Sequence, residues 1–170
     1  MSKVFEKVVL SQILQHIHCN KLLSDFQSAY RPHHSTETAV LKVTNDLLSA
    51  MDDGRISVLV IVILDLFAAF DTIDHEMLLH RLHNVFGFGD TVLSWFQSYL
   101  ENRTQTVAVH GKHSTPASLR YGVPQGSVLG PILFILYIHS LSNVMQHYLV
   151  FHQMYADDTQ IYNRADHLKL

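Results

Sequence analysis

Two periods of apolar and polar residues divide this chain. From Val4 to Ile17 the apolar residues Val4, Phe5, Val8, Val9, Ile13 and Ile17 recur at helical spacing with Lys and Gln between them, which predicts a first helix. Ser35 can cap a second helix running to about Met51. Its stripe is Val40, Leu41, Thr44, Leu47, Leu48 and Met51, and Asp52-Asp53-Gly54 supplies the stop. Asp74 caps a third, in which Leu78, Leu82 and Val85 share a face and Gly87 ends the segment. A fourth is predicted from Asp90 to Leu100, burying Val92, Leu93, Phe96 and Leu100, with Trp95 as a packing residue. Pro131 stands where a fifth helix, through about Leu141, would start.

Elsewhere the pattern is that of strands. Ser57-Val58-Leu59-Val60-Ile61-Val62-Ile63-Leu64 is an almost unbroken apolar run rich in β-branched residues, ending at Asp65. Apolarity without alternation marks a strand covered on both faces, so a central strand is expected, with Asp65 emerging at its end. The run is far shorter than the ~18 residues a membrane span needs. Thr104 to Val109 reads as a strand, Gly111-Lys112 as its turn, and a partner strand follows through Leu119-Arg120-Tyr121. Gly122 to Gly126 has the composition of a turn. Finally, Val150–Met154 and Gln160–Tyr162 flank the short polar junction containing Asp157 and Asp158, the signature of a β-hairpin with both carboxylates at its tip. Together these elements predict an α+β fold, an antiparallel sheet with helices packed on one face.

Candidate chemistry begins at that tip. Asp157-Asp158 can be read as an ordinary polar turn, or as a cation site, because two adjacent ionised carboxylates repel unless a cation or a raised pKa relieves them. Asp65 is the candidate third carboxylate. Three such groups could hold two Mg²⁺ ions in the arrangement that serves phosphoryl transfer. Arg31, just ahead of the Ser35 cap, is either a surface residue of a Pro-containing turn or a clamp for a triphosphate. The glycine-bounded loop at Gln125 and Gly126 lets backbone approach a substrate, although most such loops are only connections.

Composition narrows the class without deciding it. A chain of 170 residues, 48% apolar, can bury one sizeable core. One cysteine, Cys19, excludes a disulfide framework; with no signal peptide at the amino end, an intracellular location, nuclear or cytoplasmic, is expected. His16-Ile17-His18-Cys19 has no second ligand pair at zinc spacing, and the 13 histidines are scattered. The net charge of −3 is not that of a free-standing nucleic-acid binder, but a local groove is hidden in such a total.

Three longer motifs then resemble a known family. Leu64-Asp65-Leu66-Phe67-Ala68-Ala69-Phe70-Asp71-Thr72-Ile73-Asp74-His75, Tyr121-Gly122-Val123-Pro124-Gln125-Gly126-Ser127-Val128-Leu129-Gly130-Pro131 and Tyr155-Ala156-Asp157-Asp158 are similar, in order and spacing, to polymerase motifs of reverse transcriptases, above all those of LINE-type, non-LTR retrotransposons. Gln27 to Ala39 resembles the fingers motif upstream in the same enzymes. The resemblance implies a polymerase palm with part of the fingers: residues 1–55 a fingers portion, 56–170 the palm with interleaved fingers elements. It implies RNA-templated DNA synthesis from a DNA primer and deoxynucleoside triphosphates, away from any membrane, with Asp65, Asp157 and Asp158 as catalytic residues and ligands of two Mg²⁺ ions, for which Mn²⁺ could substitute.

It also implies substrate contacts at Arg31, at the Leu66 backbone, at Gln125 and Gly126, and at Phe70, whose ring would pack where a ribose 2′ hydroxyl falls. Core packing is the other reading of Phe70; Asp71 and Asp74 are expected to be structural or capping. Phe67 departs from the family, which usually has a small residue there. Ending twelve residues after Asp158, with no thumb after it and no endonuclease domain before it, the chain is expected to be a truncated copy that binds primer–template weakly and extends it negligibly alone. The alternative class is a non-catalytic remnant that binds nucleic acid or a partner.

Overall fold

The computed structural model describes residues 3–52, 56–58, 70–124 and 126–165. The expected Asp65, Leu66 and Phe67, most of the apolar run before them, and Gln125 lie outside those residues. The chain divides into two compact units, Met1–Lys7 with Ala68–Tyr137 and Val8–Phe67 with Ile138–Leu170.

The first unit is built on α3 (His75–Asn84), α4 (Asp90–Leu100) and the first half of α5 (Gly130–His147). Ile132, Leu133, Phe134, Ile135 and Leu136 are all buried, so this half of α5 is surrounded and no polar stripe is possible there. Leu78 and Leu82 of α3 and Phe96, Tyr99 and Leu100 of α4 are buried too, and α3 and α4 pack on each other. Trp95 packs as expected, stacked on Tyr99 at 5.5 Å and edge-on to Phe96 at 5.2 Å. Val92 and Val85, expected inside, are exposed. Tyr99 takes the buried place on α4, its hydroxyl given a polar partner (below).

Asp74 caps α3 as its position predicts, its carboxylate accepting the Met77 N–H at 2.8 Å. Asp74→Ala should cost about 1 kcal/mol, read as a lowered denaturant midpoint, because one orphan helix donor loses its acceptor. A midpoint equal to wild type would show that water serves as well.

The hairpin after α4 departs from expectation. It breaks into two pieces, β2 (Thr104–Gln105) with β5 (Ala117–Ser118), and β3 (Ala108–Val109) with β4 (Lys112–His113). The turn is His110-Gly111, both at positive φ (48° and 77°), one residue earlier than expected. The second strand carries an extra residue at Thr115-Pro116, where proline has no N–H to donate and the ladder cannot continue.

The second unit holds the rest of α1 (Lys3–Cys19), α2 (Thr36–Asp52) and a three-stranded antiparallel sheet in the order β1 (Ile56–Val58), β7 (Asp158–Ala165), β6 (Phe151–Tyr155). Among the described residues β7 is therefore central, flanked by β6 and β1, while most of the run expected to form a central strand lies outside them. On α1, Ile13 and Ile17 are buried while Val4, Phe5 and Val8 of the same stripe are exposed.

Helix α2 begins at its expected cap, where Ser35 Oγ accepts the Thr38 N–H at 3.3 Å and Thr38 Oγ1 accepts the Ser35 N–H at 2.8 Å. It turns a different face inward. Ala39, Val43 and Ala50 are buried, whereas Val40, Leu41, Leu48 and Met51 are exposed. Small residues let α2 sit close, and Asp46 on that side accepts the Tyr162 hydroxyl of β7 at 2.6 Å.

The expectation of helices on one face is also corrected. His152, Gln153 and Met154 are buried in succession, which alternation allows only if both faces of β6 are covered. Gln153, Tyr155, Asp158 and Gln160 share a small cleft with Thr36, Ala39 and Val40 of α2. On the other face His152 meets Ser142 of α5, Nε2 to Oγ at 2.8 Å. His152 Nδ1 lies 3.1 Å from the Val150 carbonyl, which can only accept, so the proton is on Nδ1 and Ser142 donates to Nε2. Burial pushes the His152 pKa down, in keeping with a neutral ring. The architecture is α+β, mixed helices with small antiparallel sheets. No described helix is long and apolar enough to cross a membrane.

Candidate active site

In the second unit the structure places Asp157 and Asp158 at the tip of the β6–β7 hairpin, as the sequence pattern indicates. Tyr155 pairs with Asp158, so Ala156 and Asp157 form a two-residue turn with Ala156 at φ 55°. Both carboxylates are exposed, and among the described residues neither has a side-chain partner. Asp158 borders the cleft against α2, and Asp157 tops the turn.

What fixes the tip comes from residues 26–28. This segment lies beside β6 as a short parallel bridge: the Met154 N–H donates to the Phe26 carbonyl at 2.7 Å, and the Ser28 N–H to the Met154 carbonyl at 2.9 Å. Gln27, 3% exposed, then reaches over the end of the strand. Its Oε1 accepts the Ala156 N–H at 3.1 Å and the Ala29 N–H at 3.0 Å, and its Nε2 donates to the Ala156 carbonyl at 3.4 Å. One buried amide thus holds both polar groups of the first turn residue. Gln153 Nε2 donates to Ser28 Oγ at 2.7 Å and locks the same segment one strand position back. Nothing local in the sequence marks Gln27 for this role, since its partner lies 129 residues away.

Arg31 sits on the loop that follows. Its guanidinium is folded back, Nη1 donating to the carbonyls of Ser24 (3.2 Å) and Gln27 (3.4 Å) and Nη2 to Asp25 at 3.2 Å. In this geometry it orders the 24–27 loop behind the hairpin. A triphosphate there would have to compete with those acceptors. Beside it, Tyr30 has a raised pKa, chiefly from burial and then from neighbouring Tyr155.

In the first unit lie the other described candidates, Phe70 and Gly126. Phe70 is 38% exposed, and its ring meets Phe134 of α5 at 5.4 Å, so it is partly core and partly open. Its carbonyl accepts the Val123 N–H at 2.9 Å, while the Gly122 N–H donates to Ile73 at 2.8 Å. These bonds register the loop carrying Gly126 against the segment carrying Phe70. Gly122 has φ +82°, and a Cβ built on it would lie 2.9 Å from both Asp71 Cα and the Phe70 carbonyl oxygen. The Gly122 carbonyl in turn accepts from His75 Nε2 at 2.7 Å and Arg103 Nη1 at 2.9 Å. Gly126, at φ +73°, is exposed.

Two exposed carboxylates on adjacent residues are hard oxygen donors suited to Mg²⁺. Among the described residues no three His, Cys, Asp or Glu side chains converge. The expected third ligand, Asp65, lies outside them.

A family model for "Reverse transcriptase (RNA-dependent DNA polymerase)" matches residues 1–168. The chain is 33% identical over 141 residues to the probable RNA-directed DNA polymerase from transposon BS of Drosophila melanogaster, covering 83% of this chain and 15% of that protein. It is 31% identical over 170 residues to the RNA-directed DNA polymerase from mobile element jockey of Drosophila melanogaster, covering 97% of this chain and 18% of the relative. A Pol polyprotein from the type-1 retrotransposable element R2 of Popillia japonica is 32% identical over 81 residues, 48% of this chain and 13% of that protein. The chain thus spans less than a fifth of the length of these relatives.

Proposed function

Because the chain belongs to the reverse transcriptase family, matched over residues 1–168, we propose that it forms the catalytic part of an RNA-directed DNA polymerase of a non-LTR retrotransposon. In this reading residues 1–55 contribute to the fingers, and 56–170 form the palm with interleaved fingers elements. The substrates are an RNA template, a DNA primer and deoxynucleoside triphosphates. The observation that carries it is the exposed Asp157-Asp158 pair on a turn whose backbone is held by buried Gln27.

With Asp65, these carboxylates would hold two Mg²⁺ ions. That site would supply Lewis-acid chemistry, a lowered pKa for the primer 3′ hydroxyl and neutralised charge on the triphosphate. The chain's own residues fix the geometry. Gln27 holds the tip so that the carboxylates need not reorganise, which matters because a displacement near 1 Å can cost on the order of 10²-fold in rate. Ala156 accepts a positive φ, and both aspartates leave the turn toward solvent. Gln125 and Gly126 are assigned to the incoming nucleotide and templating base, the Leu66 backbone carbonyl to the same substrate site as an extra ligand, and Arg31 to the triphosphate once released from Asp25.

The direct test is extension of a DNA primer on an RNA template by a complete polymerase containing these residues, with Mg²⁺ and with chelator. Template-dependent DNA synthesis that stops on chelation is expected. Synthesis insensitive to chelation, or none, would refute the assignment.

Phe70 is proposed as the sugar gate. Phe70→Ala should raise ribonucleotide over deoxynucleotide incorporation by about 10-fold or more, since a removed side chain is worth on the order of 1–3 kcal/mol of discrimination. The ratio of the two kcat/KM values reads it. An unchanged ratio would leave the ring only its packing against Phe134.

A further inference from the structure

Glu6 is a carboxylate without an evident use in the first helix. It is 5% exposed, and a polar group so buried must be satisfied by hydrogen bonds. Its Oε2 accepts the Val128 N–H at 2.7 Å, the Leu129 N–H at 3.3 Å and the Tyr99 hydroxyl at 3.4 Å. Both amides stand just before α5, where donors lack intrahelical acceptors and the helix dipole favours negative charge. The local cap is already present, Ser127 Oγ accepting the Gly130 N–H at 2.9 Å. Glu6 therefore acts one step further out, on the loop.

We propose that Glu6 is a positioning residue for the loop Gly122–Gly130, holding its far end while Gly122 holds its near end. This rests on the reading of that loop as the contact to templating base and incoming nucleotide. At the near end, four hydrogen bonds join Gly122 and Val123 to Ile73, Phe70, His75 and Arg103. At the far end, Glu6 joins Val128 and Leu129, and Tyr99, its pKa raised chiefly by burial, donates its hydroxyl to Glu6. Among the described residues of the loop, Gly126 between these two ends is exposed and can meet a ligand. Behind the far anchor lies a cavity of about 450 Å³ lined by Lys3, Glu6, Tyr99, Arg103, Gly126 and Ser127. That space gives the loop somewhere to go when the anchor is lost. A cap that served stability alone would need no remote carboxylate beside Ser127.

The test compares wild type with Glu6→Ala and Glu6→Gln in a complete polymerase containing this chain, by steady-state extension and by amide exchange. Glu6→Ala should raise KM for the deoxynucleotide about 10-fold, with kcat per active site and KM for primer–template within about 2-fold, since lost uniform binding appears in KM. Glu6→Gln keeps an acceptor and should fall between. Exchange should rise at Val128 and Leu129 and not across α3 and α4. A fall only in active fraction or melting temperature, with nucleotide KM unchanged, would overturn the proposal. Should Glu6→Ala not fold, Glu6→Gln decides by the same KM. A wild-type protein without RNA-templated synthesis would refute the polymerase reading instead. The exchange at Val128 and Leu129 would then judge the anchor by itself, unchanged exchange in Glu6→Gln overturning it.

Discussion

Asp157→Asn is expected to lower RNA-templated primer extension by at least about 10²-fold, the scale on which single groups stabilising transition-state charge act, while the fold stays intact. The two halves of this expectation come from different atoms. Asn keeps the size of Asp but brings no charge, and its amide N–H₂ would face a cation. The turn is held through the Ala156 backbone and Gln27, not through the Asp157 carboxylate, which is exposed. Loss of one of two adjacent like charges also relieves repulsion in the metal-free protein, so the melting temperature should hold or rise slightly. Single-turnover extension and a thermal melt on the same preparation check both halves. Full activity would remove Asp157 from the chemistry; a collapsed melt would make it structural.

The largest expected effect on stability is at Gly122. Its φ of +82° disfavours any side chain, and the Cβ of an alanine would come within 2.9 Å of the Phe70 carbonyl oxygen and Asp71 Cα. Those neighbours are backbone and cannot swing aside. Relief requires lengthening the Val123–Phe70 and Gly122–Ile73 hydrogen bonds, 2.9 and 2.8 Å. Left-handed strain of about 1–2 kcal/mol and an overpacking cost of about 1–3 kcal/mol together predict a loss of roughly 2–5 kcal/mol. For a chain of this size that is roughly a 10 °C fall in melting temperature. Gly111→Ala is the control. Its φ is +77°, but nothing lies within 4 Å of its Cβ, so only the strain should appear. Equal losses at the two positions would mean that the close approach at Gly122 is absent.

Features encoded within a few residues were legible in the sequence. Asp74 caps α3, α4 runs from Asp90 to Leu100 and Asp157-Asp158 tops a hairpin, each because a local side chain or period decides it. Which face of α2 turns inward was not legible, because Ala39, Val43 and Ala50 add less apolar weight than the exposed Val40, Leu41, Leu48 and Met51. Close approach of small residues and the Asp46–Tyr162 bond outweigh a periodicity count. The supports of the candidate site were hidden for a related reason. Gln27 and Glu6 are polar residues whose meaning lies in backbone groups 129 and 122 residues away. Burial of β6 on both faces likewise depends on which helices return to it.

The central claim is a carboxylate site for two divalent ions at the hairpin tip, and a Mn²⁺ titration followed by electron paramagnetic resonance tests it most directly. The sample is a complete polymerase containing this chain, held with an RNA template, a chain-terminated DNA primer and a deoxynucleoside triphosphate. Two bound ions per polymerase in wild type, and at most one in Asp157→Asn, is the result this account predicts. Equal stoichiometry and affinity in the two proteins would contradict it.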